Sequence, residues 1–147
     1  MKQGVLRGKR ILITGATGFI GSNLLRRCIK GGADVFIFIR KDSNTWRIKD
    51  VMANVKKFLV DLTYKETIEK SVNKIKPEII FHTAVYGVAS NQSDRERMTA
   101  VNLKGTLNLI DCCKKIDYGL FVNSGSSSEY GLKTQAMREE DILEPFS

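Results

Sequence analysis

The sequence predicts an α/β fold built on a doubly wound parallel sheet, and three observations carry that prediction. Short apolar runs alternate with longer stretches of helical period. A glycine-rich turn follows the first run directly. The 147 residues, 42% of them hydrophobic, suffice for one compact core and not for two.

Residues 10–14 (RILIT) form the first run, 35–39 (VFIFI) the second and 58–60 the third, with 78–82 and 119–123 as the fourth and fifth. All are rich in β-branched or aromatic residues and too short for an independent helix, so each reads as a strand. Between the first two, Phe19, Ile20, Leu24, Leu25 and Cys28 make one apolar helical stripe that stops at Gly31 and Gly32. Thr67, Ile68, Val72 and Ile75 give a shorter helix closed by Pro77, and Met98, Val101, Leu107, Ile110 and Cys113 a third that runs to about Lys115. Right-handed crossovers between buried parallel strands place helices on both faces of the sheet.

Composition narrows the class. The formal charge is +8, yet the basic residues are spread along the chain in pairs such as Arg26 with Arg27, Lys56 with Lys57 and Lys114 with Lys115. Without aromatic interleaving or a recognisable motif, that reads as a solvated surface and not as a nucleic-acid stripe. The polar, basic first ten residues are not a signal peptide, and no apolar run approaches the ~20 residues of a membrane span, so a soluble protein is expected. Cys28, Cys112 and Cys113 have no C-x-x-C spacing, which argues against a disulfide framework or a zinc site and fits a cytoplasmic setting. No linker, repeat or low-complexity tract divides the chain.

The turn after the first strand reads TGATGFIG, residues 14–21. Gly15 permits a tight turn, Gly18 lets a pyrophosphate reach the backbone, and Gly21 lets helix and strand pack closely. The helix N-terminus adds free N–H groups and a partial positive charge. Gly15, Thr17, Gly18, Phe19, Ile20 and Gly21 are therefore the expected cofactor-binding residues of this turn. The spacing is G-x-x-G-x-x-G, distinct from the G-x-G-x-x-G of two-domain dehydrogenases.

That string resembles the extended short-chain dehydrogenase/reductase family, and further segments resemble it in the same order. Val60-Asp61-Leu62 is similar to the stretch carrying the adenine-contacting acid after the third strand. Phe81-His82-Thr83-Ala84 is similar to the segment closing the fourth, Val101 to Thr106 (VNLKGT) to the Asn-x-x-Gly-Thr of the following helix, and Val122 to Gly131 to the Ser-rich active-site loop. The likeness runs from about Lys9 to Pro145. It implies a Rossmann fold and an NAD(P) site to which Asp61, Leu62, Thr83, Ala84 and Asn102 also contribute. Asn102 would hold active-site backbone; the other reading is a surface amide. His82, the only histidine, reads as a packed, hydrogen-bonded strand-end residue in preference to a general base.

In an NAD-preferring site an acid at the end of the second strand receives the ribose hydroxyls. Here that strand ends in Arg40 and Lys41; Asp34 lies at its wrong end and Asp42 in the loop beyond. Arg40, Lys41 and Ser43 suit a 2′-phosphate, so NADP is expected over NAD. In the alternative, Arg40 and Lys41 are solvated loop charges.

The family's chemistry uses a Ser or Thr with a Tyr and a Lys. Ser126, four residues before Tyr130, matches the hydroxyl position, and Ser127 follows it. None of Tyr64, Tyr86, Tyr118 and Tyr130 has Lys four residues later. In the family that pair opens the next helix, beyond a segment like Glu144-Pro145-Phe146-Ser147. Residues 1–147 are thus expected to be an NAD(P)-binding domain truncated after the fifth strand, with the C-terminal substrate domain absent. The implied parent is an epimerase, dehydratase or reductase of a nucleotide-diphosphate sugar, for which a homodimer is open. The chain alone should not turn over; a non-catalytic dinucleotide-binding or sensor module is the alternative. Loss of the helix bearing Tyr and Lys should expose Ile79, Ile80, Phe81, Leu120 and Phe121 and cause association.

Overall fold

A computed structural model describes residues 4–87 and 93–145. Five parallel strands, β1 (Arg10–Thr14), β2 (Asp34–Ile39), β3 (Lys56–Leu59), β4 (Ile79–His82) and β5 (Leu120–Asn123), lie in the order β3-β2-β1-β4-β5. The central strand β1 and its neighbour β2 are the most apolar, because both their faces are covered. Ile11, Leu12, Ile13 and Ile37 are fully buried.

Helices α1 (Phe19–Lys30) and α2 (Lys65–Ile75) cover opposite faces. On one face Leu12, Phe36, Phe38 and Ile80 pack against Ile68 and Val72 of α2 and against Leu109 and Cys112 of the last helix. On the other, Ile11, Ile13, Val35 and Ile37 meet Leu25 and Cys28 of α1 and Ile48 from a 3₁₀ segment, Trp46–Asn54. The alternation of inward residues along each strand is the period-2 signature of a sheet buried on both sides.

Three features differ from the sequence reading. Strand β3 is Lys56–Leu59 in place of 58–60; it is the outer strand, and its exposed Lys56 and Lys57 discourage edge pairing. The third helix is interrupted: α3 (Arg95–Met98) and α4 (Thr106–Cys113) flank a π-helical segment, Thr99–Gly105. Gly105 there packs so near the loop after β3 that a Cβ would lie 2.9 Å from Leu62 Cβ. As the stop expected at Pro77 requires, helix α2 ends at Ile75; its C-cap Lys76 takes the left-handed conformation at φ 47°, and the Lys76 N–H closes on the Val72 carbonyl at 2.7 Å. Phe19 and Ile20 do not belong to the buried stripe of α1 and are 75% and 64% exposed.

The expected bare apolar surface also needs correcting. Ile80 is fully buried and Phe121 packs with it beneath α4, because both face the covered side. The exposed strip lies on the α1 side. Ile79 pairs with Leu120 and Phe81 with Val122 across β4 and β5, and Leu120 and Val122 are 49% and 40% exposed.

Candidate dinucleotide-binding site

β1 leads to α1 on one face of the sheet, while the chain passes to β4 from the other, so a crevice opens at the carboxyl ends of β1 and β4. Such a switch point is where ligands enter doubly wound sheets. A cavity of about 220 Å³ occupies it. Thr14, Gly15, Thr17 and Gly18 form its floor; Arg40 and Ser43 follow β2, Asp61 and Leu62 follow β3, and Thr83 and Ala84 follow β4.

The floor is shaped by absent side chains. Gly15 has φ +70°, and a Cβ there would sit 2.6 Å from the Thr83 carbonyl and the Ala84 nitrogen. A Cβ on Gly21 would collide with the Gly15 carbonyl, so α1 can press onto the turn only with glycine at that position. At Gly18 the sole neighbour of a Cβ would be the Gly15 oxygen at 3.3 Å. Gly18 lines the cavity, and the space beside its Cα is otherwise open. Gly18 is also the N-cap of α1; it gives the helix no side-chain cap, and the first turn holds no acid. An anion at this end meets N–H groups and the positive end of the helix dipole.

Phe19, Ile20, Gly21, Lys41 and Asn102 lie outside the cavity wall. The exposed side chains of Phe19 and Ile20 leave only their main-chain N–H groups to act in the floor. Residues 40–43 form a tight turn, with the Ser43 N–H donating to the Arg40 carbonyl at 3.1 Å and the Arg40 N–H to Ser43 Oγ at 2.9 Å. Arg40 Nε donates to Asp42 Oδ1 at 3.0 Å, and this guanidinium holds the Asp42 carboxyl below the usual range. Asp61 Oδ1 is fixed by the Thr63 N–H at 3.0 Å and hydroxyl at 2.8 Å.

The wall beside β4 is a polar lattice. The Thr83 hydroxyl donates to the Thr14 carbonyl at 2.8 Å. His82 is 2% exposed, with Nδ1 2.6 Å from Thr14 Oγ and Nε2 2.8 Å from Thr106 Oγ. Burial lowers its pKa to about 4, so the ring is neutral at pH 7 and serves as a packed, hydrogen-bonded group. Asn102 bridges: its Oδ1 accepts from the Tyr86 N–H at 2.8 Å and its Nδ2 donates to the Tyr86 carbonyl at 2.7 Å. It is half-buried and clamps backbone, which the surface-amide reading does not describe.

Ser126 and Ser127 stand apart from the cavity. Ser126 caps a 3₁₀ turn, Ser127–Tyr130, accepting from the Ser128 N–H at 3.2 Å, and both serines are exposed. Ser124, which sequence reasoning passed over, instead fastens the loop to β4 through the His82 carbonyl at 3.2 Å. Val85, Tyr86 and Val101 also line the cavity without having been anticipated. Thr14 and Thr106 were likewise missed, although each lies in a motif beside which the single histidine had to find partners.

A model of the NAD dependent epimerase/dehydratase family matches residues 11–147. The chain is 31% identical over 136 residues to sterol demethylase protein B of Methylococcus capsulatus, a match covering 92% of this chain and 40% of that protein. Against UDP-glucose 4-epimerase of Pisum sativum it is 29% identical over 148 residues, covering 94% and 42% respectively. Thermus thermophilus UDP-glucose 4-epimerase, solved in complex with NAD, superimposes with a TM-score of 0.77 at 29% identity, over 92% of this chain and 44% of that one. The chain thus spans less than half the length of each relative. By its glycine turn, its switch-point cavity and this match over nearly all its residues, the chain belongs to the NAD dependent epimerase/dehydratase family.

Proposed function

We propose that these residues are the NAD(P)-binding part of a nucleotide-sugar epimerase, dehydratase or reductase, with NADP preferred to NAD. The observation that carries the reading is the cavity floored by Gly15 and Gly18 under the uncapped N-terminus of α1. Arg40 and Ser43 at its rim favour NADP, because a guanidinium and a hydroxyl can share a 2′-phosphate. Gly15, Thr17 and Gly18, with the first-turn N–H groups, would hold the pyrophosphate, and Asp61 would accept from the adenine end. The bound dinucleotide would supply hydride exchange with a substrate carbon. For this chemistry the chain offers the Ser126 hydroxyl to orient a reacting oxygen, with Ser127 beside it, and contains no Tyr-x-x-x-Lys.

Nucleotide-sugar specificity rests on likeness to the two UDP-glucose 4-epimerases. The Methylococcus relative favours a second reading, a sterol substrate in the same cofactor framework. A third reading is a dinucleotide-binding module without turnover. Fluorescence titration of the chain with NADPH and NADH tests the shared claim. Saturable binding, tighter for NADPH, is expected, and no saturation with either removes it.

A further inference from the structure

Around His82 the protons have one consistent arrangement. Thr106 Oγ donates its single proton to the Asn102 carbonyl at 2.7 Å. It must therefore accept from His82 Nε2, which makes the ring the Nε2–H tautomer. Nδ1 then carries a lone pair and accepts from the Thr14 hydroxyl, whose oxygen accepts in turn from the Ala84 N–H at 3.3 Å. No buried side-chain nitrogen or oxygen among the described residues lacks a partner. The result is a directional chain from the Ala84 N–H through Thr14, His82 and Thr106 to the Asn102 carbonyl.

One end lies in the cavity wall, and the other meets that wall through a side chain. Thr14 opens the glycine turn, and Asn102, itself outside the wall, clamps by its side chain the main chain of Tyr86, which lines the cavity two residues beyond Ala84. We infer that His82 and Thr106 are positioning residues, with the Nε2–H ring acting as a fixed-polarity spacer that holds the phosphate turn and the Tyr86 wall in the binding geometry. Neither residue lines the cavity, so both act through Thr14 and Asn102. This rests on the dinucleotide reading of the site. The polarity matters because reversing the ring leaves the Thr14 proton without its acceptor and draws the Thr106 proton from the Asn102 carbonyl to Nε2. A buried ring packed for shape alone would tolerate either tautomer.

The test uses the 147-residue chain with ¹⁵N-labelled histidine. In the wild type, the imidazole nitrogen shifts should report protonated Nε2 and bare Nδ1. In Thr106→Val the ring should move toward Nδ1–H, and dinucleotide affinity should fall roughly five- to tenfold, as for a buried polar group losing its partner. Thr106→Ser, which keeps the hydroxyl, should retain the wild-type spectrum and an affinity within about twofold. An Nδ1–H wild-type ring overturns the relay, and so does a folded Thr106→Val with unchanged affinity. Should Thr106→Val not fold, the wild-type spectrum and the Thr106→Ser affinity decide. A wild type that binds neither dinucleotide overturns the reading of the cavity, and with it any effect of the relay on affinity, while the ring's tautomer still reports on the proton arrangement.

Discussion

Arg40 Nε donates to the Asp42 carboxylate at 3.0 Å, so the cation at the cavity's rim already has a counter-charge within its own turn. Both side chains are well exposed, and such pairs are weak enough for a dianionic 2′-phosphate to take the guanidinium from Asp42. The carboxylate would remain nearby and oppose such a phosphate.

Cofactor choice should therefore respond in opposite directions to these two residues. Asp42→Asn is expected to raise NADPH affinity about threefold and leave NADH nearly unchanged. Arg40→Ala should lower NADPH affinity by about tenfold, with NADH within about twofold. Paired titrations of the three proteins give the ratios. Equal loss of both dinucleotides in Arg40→Ala would remove the 2′-phosphate assignment.

The two glycines of the floor should separate folding from binding. Gly15→Ala puts an L residue at φ +70° and its Cβ 2.6 Å from the β4 backbone, so a loss of at least about 2 kcal/mol in urea unfolding is expected. At Gly18 the methyl meets only one atom at 3.3 Å, and stability should change by less than about 1 kcal/mol. It would nevertheless occupy the space offered to the pyrophosphate. Gly18→Ala should thus stay folded and bind neither dinucleotide; binding at wild-type affinity would place the phosphates elsewhere.

His82 predicts a pH dependence with a definite sign. Its folded pKa of about 4 lies below the ordinary 6.5, so between those values the unfolded chain takes up a proton that the folded chain refuses. The associated stability is complete above pH 6.5 and is lost progressively as pH falls to about 4, a change of roughly 3 kcal/mol. The carboxylates of Asp50, Glu69, Glu78 and Asp111, all held low chiefly by side-chain hydrogen bonds from Arg26, Lys115, Lys9 and Lys65 respectively, also lose stabilising interactions in acid. They are common to a His82→Gln variant and cancel in the comparison. The stability gap between wild type and His82→Gln should narrow from pH 7 to pH 4. Parallel curves would mean that the ring is not held neutral by burial.

What was legible in the sequence is what repeats locally. Period and strand-length runs gave the five strands, and Gly15, Gly18 and Gly21 gave the turn, because each needs only its neighbours to be read. Exposure of Phe19 and Ile20 was not legible: they continue an apolar helical pattern, but the turn they follow directs them away from the sheet. The π-helical segment also escaped, since its setting includes the approach of Gly105 to Leu62, forty-three positions away. The polar lattice shows the same limit. His82 announced itself as a single histidine, whereas Thr14 and Thr106 acquire their roles only when β1, β4 and α4 come together.

The strip on the α1 side of β4 and β5 makes the last prediction. Leu120 and Val122 stand on the outermost strand of the described sheet, across from Ile79 and Phe81, and offer apolar surface beside unpaired main-chain groups. The isolated chain should associate with rising concentration in sedimentation velocity. Replacing Leu120 and Val122 together by Lys should suppress this without changing dinucleotide affinity, because neither residue lines the cavity. Phe121→Lys offers the contrasting control. Its side chain packs beneath α4 with Ile80 and the edge of Tyr118, so a charge there should cost about 2 to 4 kcal/mol of stability and increase association. A wild-type chain that stays monomeric at every concentration reached would show that the strip is not adhesive. A double Lys variant that associates as the wild type does would place the contact on another face.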